Sequence, residues 1–341
     1  MGKLAITGGE QVRKKRFDPW PVYSDKERHA LEDVLTNRNW GGQPFPGKHS
    51  EAFNRKFAEF HTAKYGQVVS TGTVAIQAAL KAIDIRPGDE VIVPAYTWEG
   101  TVGPVLLLNA VPVFVDVDPD TYCLDAKLIE QAITPKTKAI LPVHLGMRFA
   151  DLDEIMAIAA RHNLKVVEDC AHAHGGMWRG KGAGSTGDLG AFSFQSSKLI
   201  TSGEGGAVIT NNLEYFERVQ SYINTGRASV TDQFHHRLIG FNYRLGEFQA
   251  AVLGLWGLSY PSTERLALDA PRVRCPVLFQ RKADDELFTP EGQIELFSLL
   301  GSAEKRLAVY PGRHGTPSAD QQADVIGFLT CHLEPGGLAT R

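Results

Sequence analysis

The sequence predicts an α/β protein built on a mostly parallel sheet, and three observations carry that expectation. Short apolar runs such as Val91-Ile92-Val93 and Lys165-Val166-Val167 recur from about Glu51 onward. Most are followed by segments whose apolar residues fall at helical spacing, and short buried strands alternating with helices imply helices packed on a parallel sheet. Residues capable of chemistry sit just past the apolar runs, at the strand ends where ligands bind in open sheets.

In chain order, an amphipathic helix over Phe53–Phe60 precedes a short strand at Val68-Val69 and the turn Ser70-Thr71-Gly72-Thr73. A helix carrying Ala75, Ala78, Ala79 and Ile83 at helical spacing follows. Next come a strand at Val91–Val93, a helix around Val105–Leu108, and a strand over Pro112–Val117. The pattern continues with a helix over Ala126–Ile133, a strand over Ala139–Val143 and a helix over Asp151–His162. The strand Lys165–Val167 then runs into Glu168-Asp169. No internal repeat, low-complexity tract or glycine-serine linker interrupts the series.

Composition narrows the class of function. The 341 residues give room for one large domain or two ordinary ones. A formal net charge of -3 provides no basic field for nucleic acid or for a membrane surface. The most apolar stretch, Thr101–Val117, is broken by Gly103, Pro104, Asn109 and Pro112, so a spanning helix is not expected there. The opening Met-Gly-Lys-Leu lacks the long apolar core of a signal peptide, and Cys123, Cys170, Cys275 and Cys331 follow no disulfide framework. The expectation is a cytoplasmic, reduced protein.

Four features could carry chemistry. The turn Ser70-Thr71-Gly72-Thr73 lets backbone amides at a helix N-terminus face an anion, although Ser and Thr there also serve as plain caps. Asp169 closes an apolar strand, where a carboxylate could hold a protonated ring nitrogen; a cap or ion pair is the alternative. His172 and His174 downstream give Asp-x-x-His-x-His, but no further ligand at metal spacing completes a set. Lys198 lies within Phe192-Ser193-Phe194-Gln195-Ser196-Ser197-Lys198-Leu199-Ile200, before Gly203-Glu204-Gly205-Gly206. Partial burial would lower its ammonium pKa, as a Schiff-base nucleophile requires, although many such lysines only snorkel. In Tyr96-Thr97-Trp98 an aromatic side chain could stack on a flat cofactor or simply pack in the core.

The order of these features is more informative than any one of them. Phosphate turn, stacking aromatic, strand-end aspartate, then serine and lysine five apart resemble the DegT/DnrJ/EryC1/StrS sugar aminotransferases. The resemblance runs from about Phe17 to Leu253. It passes through Val-Ile-Val-Pro-Ala-Tyr-Thr-Trp, Glu-Asp-Cys-Ala-His-Ala-His-Gly, Phe-Ser-Phe-Gln-Ser-Ser-Lys and Gly-Phe-Asn-Tyr-Arg-Leu-Gly-Glu-Phe-Gln-Ala-Ala. It implies the large domain of a fold-type-I enzyme using pyridoxal 5′-phosphate (PLP), working as a homodimer.

On that resemblance, Lys198 carries the cofactor and moves the proton, Asp169 pairs with the pyridine nitrogen, and His172 contacts the phenolic oxygen. Trp98 stacks on the ring, while Gly72, Thr73 and Ser193 hold the phosphate. Asn242 reaches the phosphate of the neighbouring subunit. His144 either lines the substrate pocket or is a satisfied core histidine. The implied reaction moves an amino group from glutamate or glutamine to a keto sugar or cyclitol ketone. The segment Asp118–Cys123 looks closest to members acting on inosose-type ketones or forming aminohydroxybenzoate.

Two domains follow: residues 1–250 as the aminotransferase large domain, and 251–341 as a small α/β segment of different character. The latter resembles the end of an α/β-hydrolase of the dienelactone-hydrolase kind. It carries strand–helix units at Val277–Gln280 with Pro290–Leu300 and at Arg306–Tyr310 with Ala319–Leu333. Asp285 or Asp284 would be the acid and His314 the triad histidine, but no Gly-x-Ser-x-Gly elbow supplies a nucleophile, so hydrolysis is not expected. A protein that holds PLP without turnover is the competing reading, and an esterase is the third.

Overall fold

A computed structural model describes residues 20–41, 45–146, 148–227 and 234–255, together with the strands 277–282 and 305–310. The chain divides into two compact units, Tyr23–Leu258 and a second made of Met1–Val22 with Ser259–Arg341.

The first unit opens with α1 (Asp25–Asn37), which the pattern reading passed over. Its start was written in the sequence as a capping box: Ser24 accepts from the Lys26 amide, and Glu27 reaches back to the Ser24 amide at 2.7 Å. Helix α2 (Lys48–Phe60) starts differently. Its N-cap, Gly47, has no side chain, and the buried Glu247 carboxylate takes the His49 amide at 2.8 Å and the Ser50 amide at 3.1 Å. The Ser50 hydroxyl donates to the same carboxylate. A Cβ at Gly47 would collide with Glu247, so glycine is required where the carboxylate meets the positive helix end. Glu247 begins α8 (Glu247–Leu255), which is thereby pinned to α2.

A seven-stranded sheet forms the centre, in the order β1-β9-β8-β5-β4-β2-β3. Its strands are β1 (Tyr65–Val69), β2 (Glu90–Pro94), β3 (Val111–Val115), β4 (Thr137–Ile140), β5 (Lys165–Asp169), β8 (Leu189–Ser193) and β9 (Gly206–Thr210). Short β6 (Met177–Trp178) and β7 (Lys181–Gly182) pair separately. Side-chain alternation splits the core between the two faces. Val91, Val93, Ala139 and Val167 pack with α3 (Gly72–Ala82) and α7 (Leu213–Ile223); Ile92, Ile140 and Val166 pack with α6 (Leu152–His162).

The expected mostly parallel sheet is present, with one reversal: β9 runs antiparallel to both β8 and β1. Several boundaries move for local reasons. Strand β4 stops at Ile140, before Pro142, which has no amide to offer the ladder, and Val143 makes only an isolated bridge to Asp169. Strand β3 ends at Val115 rather than Val117, because Val117 turns to bridge Leu124. Helix α4 (Glu99–Leu107) begins well before Val105 and continues through Pro104. The helix expected over Ala126–Ile133 shortens to α5 (Ala126–Ile129) and a 3₁₀ turn at Glu130–Ala132, ahead of the restricted Thr134-Pro135 step.

In the second unit, β10 (Val277–Lys282) and β11 (Lys305–Tyr310) pair in parallel, at the two expected strand positions. The helices expected at Pro290–Leu300 and Ala319–Leu333, with Asp284, Asp285 and His314, lie outside the described residues.

Candidate active site

Strand register assembles the site. Gly206 pairs with Val69 on one side and Ser193 on the other, so the end of β1, the start of β9 and the end of β8 lie level. The turn after Val69 therefore arrives over Ser193. A Cβ at Gly72 would stand 2.5 Å from Ser193 Cβ and 2.9 Å from its hydroxyl oxygen, and one at Gly206 would collide with the Thr71 carbonyl. Thr71 caps α3 by accepting from the Val74 amide at 3.2 Å, which leaves Gly72 and Thr73 in the open first turn. The open first turn of α3 thus lies against the buried Ser193, an arrangement of backbone amides and a hydroxyl of the kind that takes a phosphate.

Trp98 precedes α4 and is 76% exposed. A Cβ at Gly100 would stand 2.9 Å from Trp98 Cδ1 and 3.2 Å from Thr73 Oγ1, so the indole and the cradle adjoin. A polar chain leads from the same helix to Asp169. The Thr97 and Thr101 hydroxyls are 2.8 Å apart, and Thr101 donates to Asp169 Oδ2 at 2.8 Å. Since the Thr101 proton goes to the carboxylate, Thr97 is the donor to Thr101. The Ala171 amide adds a bond to Oδ1 at 3.1 Å. Asp169, only 5% exposed, is thus anchored as an acceptor at the end of β5.

Lys198 lies on the turn after β8, where its amide donates to Gln195 at 2.9 Å. Burial lowers its ammonium pKa from the ordinary lysine value, with the Asp169 charge opposing. His172 is shifted the same way, by burial and then by the Lys198 charge, again against Asp169. Its Nδ1 accepts from the Gly146 amide at 3.4 Å, which leaves the proton on Nε2. These mutual influences put Lys198, Asp169 and His172 in one electrostatic neighbourhood. Asn242 is exposed, in a segment that bridges Asn224 and whose Tyr243 carbonyl takes the Ser70 amide at 2.9 Å.

His144 proves to be a core histidine. It accepts the Ala150 amide on Nδ1 at 3.3 Å and gives its Nε2 proton to Glu168 Oε2 at 2.9 Å, with both side chains fully buried. Glu168 also takes the amides of Gly184, Thr186 and Gly187 at 2.9, 2.9 and 2.6 Å. Among the described residues His144, Glu168 and Cys170 are the group spaced for a metal, but these bonds occupy both their nitrogens and their carboxylate. The Asp169-x-x-His172-x-His174 grouping does not converge as ligands: His174 turns away to the Ser193 carbonyl at 2.9 Å.

Sequence reasoning missed Thr101 and His61, and it named Glu168 and His174 without the roles they have here, Glu168 beneath His144 and His174 beside His61 behind β8. His61 Nδ1 donates to the Ala183 carbonyl at 3.0 Å. Burial, with the His174 charge adding to it, holds His61 down to about 3; burial chiefly holds His174 down to about 4. Both values lie below the ordinary 6.5, so the unfolded chain gains protons that the folded chain refuses as pH falls. The stability is full above pH 6.5 and declines toward pH 4 for His174 and toward pH 3 for His61. Between pH 7 and pH 5 each histidine is expected to cost about 2 kcal/mol. Denaturant titrations should show a smaller loss in His61→Asn, whose amide keeps the bond to Ala183; equal losses in variant and parent would contradict the account.

Comparison with known proteins agrees with this arrangement. The DegT/DnrJ/EryC1/StrS aminotransferase family model matches residues 22–258. A putative L-glutamine:3-amino-2,3-dideoxy-scyllo-inosose aminotransferase from Micromonospora echinospora is 45% identical over 252 residues, covering 74% of this chain and 60% of its own. An L-glutamine:scyllo-inosose aminotransferase from Streptomyces griseus is 42% identical over 262 residues, covering 73% and 62%. The chain thus spans somewhat under two thirds of the curated relatives' length. Among solved structures, 3-amino-5-hydroxybenzoic acid synthase superposes with a TM-score of 0.70 at 37% identity, over 76% of this chain and 67% of that one. An aminotransferase from Psychrobacter cryohalolentis gives 0.69 at 35%, with the same coverage. The fold is that of the PLP aminotransferases, and the chain belongs to the DegT/DnrJ/EryC1/StrS aminotransferase family.

Proposed function

We propose that this chain binds PLP and moves an amino group from glutamine or glutamate to a cyclitol or sugar ketone. The observation that carries the reading is the convergence of a buried, twice-bonded Asp169 and a pKa-lowered Lys198 beside an open helix end faced by Ser193. These residues fit the group. Gly72, Thr73 and Ser193 would hold its phosphate, Trp98 would cover the ring, Asp169 would face the ring nitrogen, and Lys198 would form the covalent link. The bound cofactor supplies an electron sink for the amino donor's Cα–H bond. Lys198, its ammonium pKa lowered by burial, would take and return that proton, and His172, with its proton on Nε2, would donate toward the phenolic oxygen.

Curated relatives named for glutamine and inosose support the donor and the acceptor class. We assign residues 1–250 to the PLP-binding large domain and 251–341 to a separate α/β segment. The compact unit Tyr23–Leu258 supports a division in this region, but it keeps all of α8 and leaves Met1–Val22 to the other unit. A homodimer with Asn242 at the neighbouring phosphate is supported by exposed Leu106, Leu107 and Phe114 on α4 and edge strand β3, an apolar face suited to a second copy. No helix among the described residues is long and apolar enough to cross a membrane, and a cytoplasmic location is part of the proposal.

The test supplies amide-and-amine ¹⁵N-labelled L-glutamine and scyllo-inosose to the PLP-loaded chain. Label in an amino-cyclitol, read by mass spectrometry, is the expected result. Bleaching of the cofactor's visible band without labelled product would reduce the function to the donor half-reaction, and an unchanged band would reject the proposal.

A further inference from the structure

The stretch that carries Lys198 leaves the core at the buried Phe194 and returns to it at the buried Ile200. Phe194 ties its base. The Phe194 amide donates to the Gly205 carbonyl at 2.8 Å, and its carbonyl takes the Ser202 amide at 3.1 Å and the Thr201 hydroxyl at 3.0 Å. Between these anchors Ser196, Ser197 and Leu199 are exposed and Lys198 is half-buried. Gln195, whose side chain has no role in the site described above, holds this span. Its backbone carbonyl takes the Lys198 amide at 2.9 Å, and its backbone amide donates to Ser193 Oγ at 3.4 Å. Its side-chain Oε1 accepts the Ser197 amide at 2.9 Å and the Ser197 hydroxyl at 2.7 Å. Its Nε2 donates to Ser196 Oγ at 2.8 Å.

One side chain thus meets both serines that precede Lys198, and one residue joins the Ser193 hydroxyl of the phosphate cradle to the lysine turn. A lysine side chain is long, flexible and strongly hydrated, so its amine stays in a half-buried place only while its own backbone is fixed. Each exposed hydrogen bond contributes little alone, but several made by one side chain act together. An amide also suits the position better than a carboxylate would. A carboxylate could take the same two bonds from Ser197, but its charge would favour the ammonium over the neutral amine.

We propose that Gln195 is a positioning residue whose side-chain amide clamps Ser196 and Ser197, so that Lys198 is held toward Asp169 and the phosphate cradle; this rests on the function proposed above. The clamp acts through the Lys198 backbone and touches neither cofactor nor substrate. It explains how an amine on an otherwise exposed turn keeps the burial that lowers its pKa against the pull of the Asp169 charge.

The test compares the parent with Gln195→Met, which keeps the side chain's length without its hydrogen bonds, and Gln195→Asn, whose oxygen can accept the Ser197 amide two residues on. In the PLP-free chain, acetylation of Lys198 across a pH series is read by peptide mass mapping, beside thermal melts. Gln195→Met should melt with the parent, and its labelling midpoint should move up toward that of an ordinary lysine as the amine leaves its buried place. Asp169, His172 and His174, the ionisable groups coupled to Lys198, are the same in all three chains. Borohydride trapping of limiting PLP on Lys198 should fall roughly tenfold in Gln195→Met. Gln195→Asn should restore the midpoint and most of the trapping. An unmoved midpoint with undiminished trapping in Gln195→Met would overturn the proposal, as would a Gln195→Asn chain that behaves like it. In the parent, hydrogen exchange at the Ser197 amide should be slowed well below that of a solvated amide; rapid exchange would refute the clamp even if Gln195→Met does not fold. A midpoint that depends on Gln195 in a chain that traps no PLP fails the proposed function and leaves the positioning role standing. Trapping on Lys198 that is indifferent to Gln195 fails the positioning role alone.

Discussion

Asp169→Asn is expected to slow amino transfer by roughly 10²–10³-fold, the range for removing one preorganised electrostatic partner from a site. The substitution is isosteric: the Ala171 amide, 3.1 Å from Oδ1, can keep an oxygen acceptor, while the Thr101 hydroxyl, 2.8 Å from Oδ2, can turn to accept from the new NH2 and donate to Thr97 instead. Folding should therefore change little. What disappears is the negative charge that keeps a facing ring nitrogen protonated and the ring an effective electron sink. Single-turnover rates beside thermal melts separate the two effects. A variant as fast as the parent would mean that Asp169 only ties β5 to α4.

Lys198→Ala should have a larger effect, at least roughly 10⁴-fold, because it removes both the covalent link and the group that moves the proton. The same substitution carries a signature independent of turnover. The Lys198 charge lowers the His172 pKa, so its removal should let the imidazole titrate at higher pH than in the parent. Proton NMR of the histidine ring signals reads this directly. An unmoved His172, with amino transfer intact, would place Lys198 outside the site.

Much of this site was legible because apolar runs end where chemistry begins. Val166-Val167 points to Asp169 at a strand end, and the serine-rich stretch after Phe192 points to Lys198. The glycine at position 72 was legible as a turn, but its need to clear Ser193 emerges only from the register of β1, β9 and β8. The partners that hold Asp169 and cap α2 were not legible. Thr101 lies 68 residues from Asp169, and Glu247 lies 198 from His49, so no local spacing announces either contact. The direction of β9 was hidden for a related reason. Gly206–Thr210 is buried throughout, and a run buried on both faces reads the same in either direction. His144 was left between pocket and core, and only the Glu168 carboxylate with its three backbone amides decides for the core.

The central claim is that the turn after β8 presents Lys198 as the cofactor's attachment point, facing Asp169. Borohydride reduction of the PLP-incubated chain, followed by peptide mapping, tests it most directly. The account predicts a stable pyridoxyl group on the peptide containing Lys198, with labelling lost when L-glutamine is added before the reductant. Labelling of a different lysine, or no specific labelling at all, would contradict it.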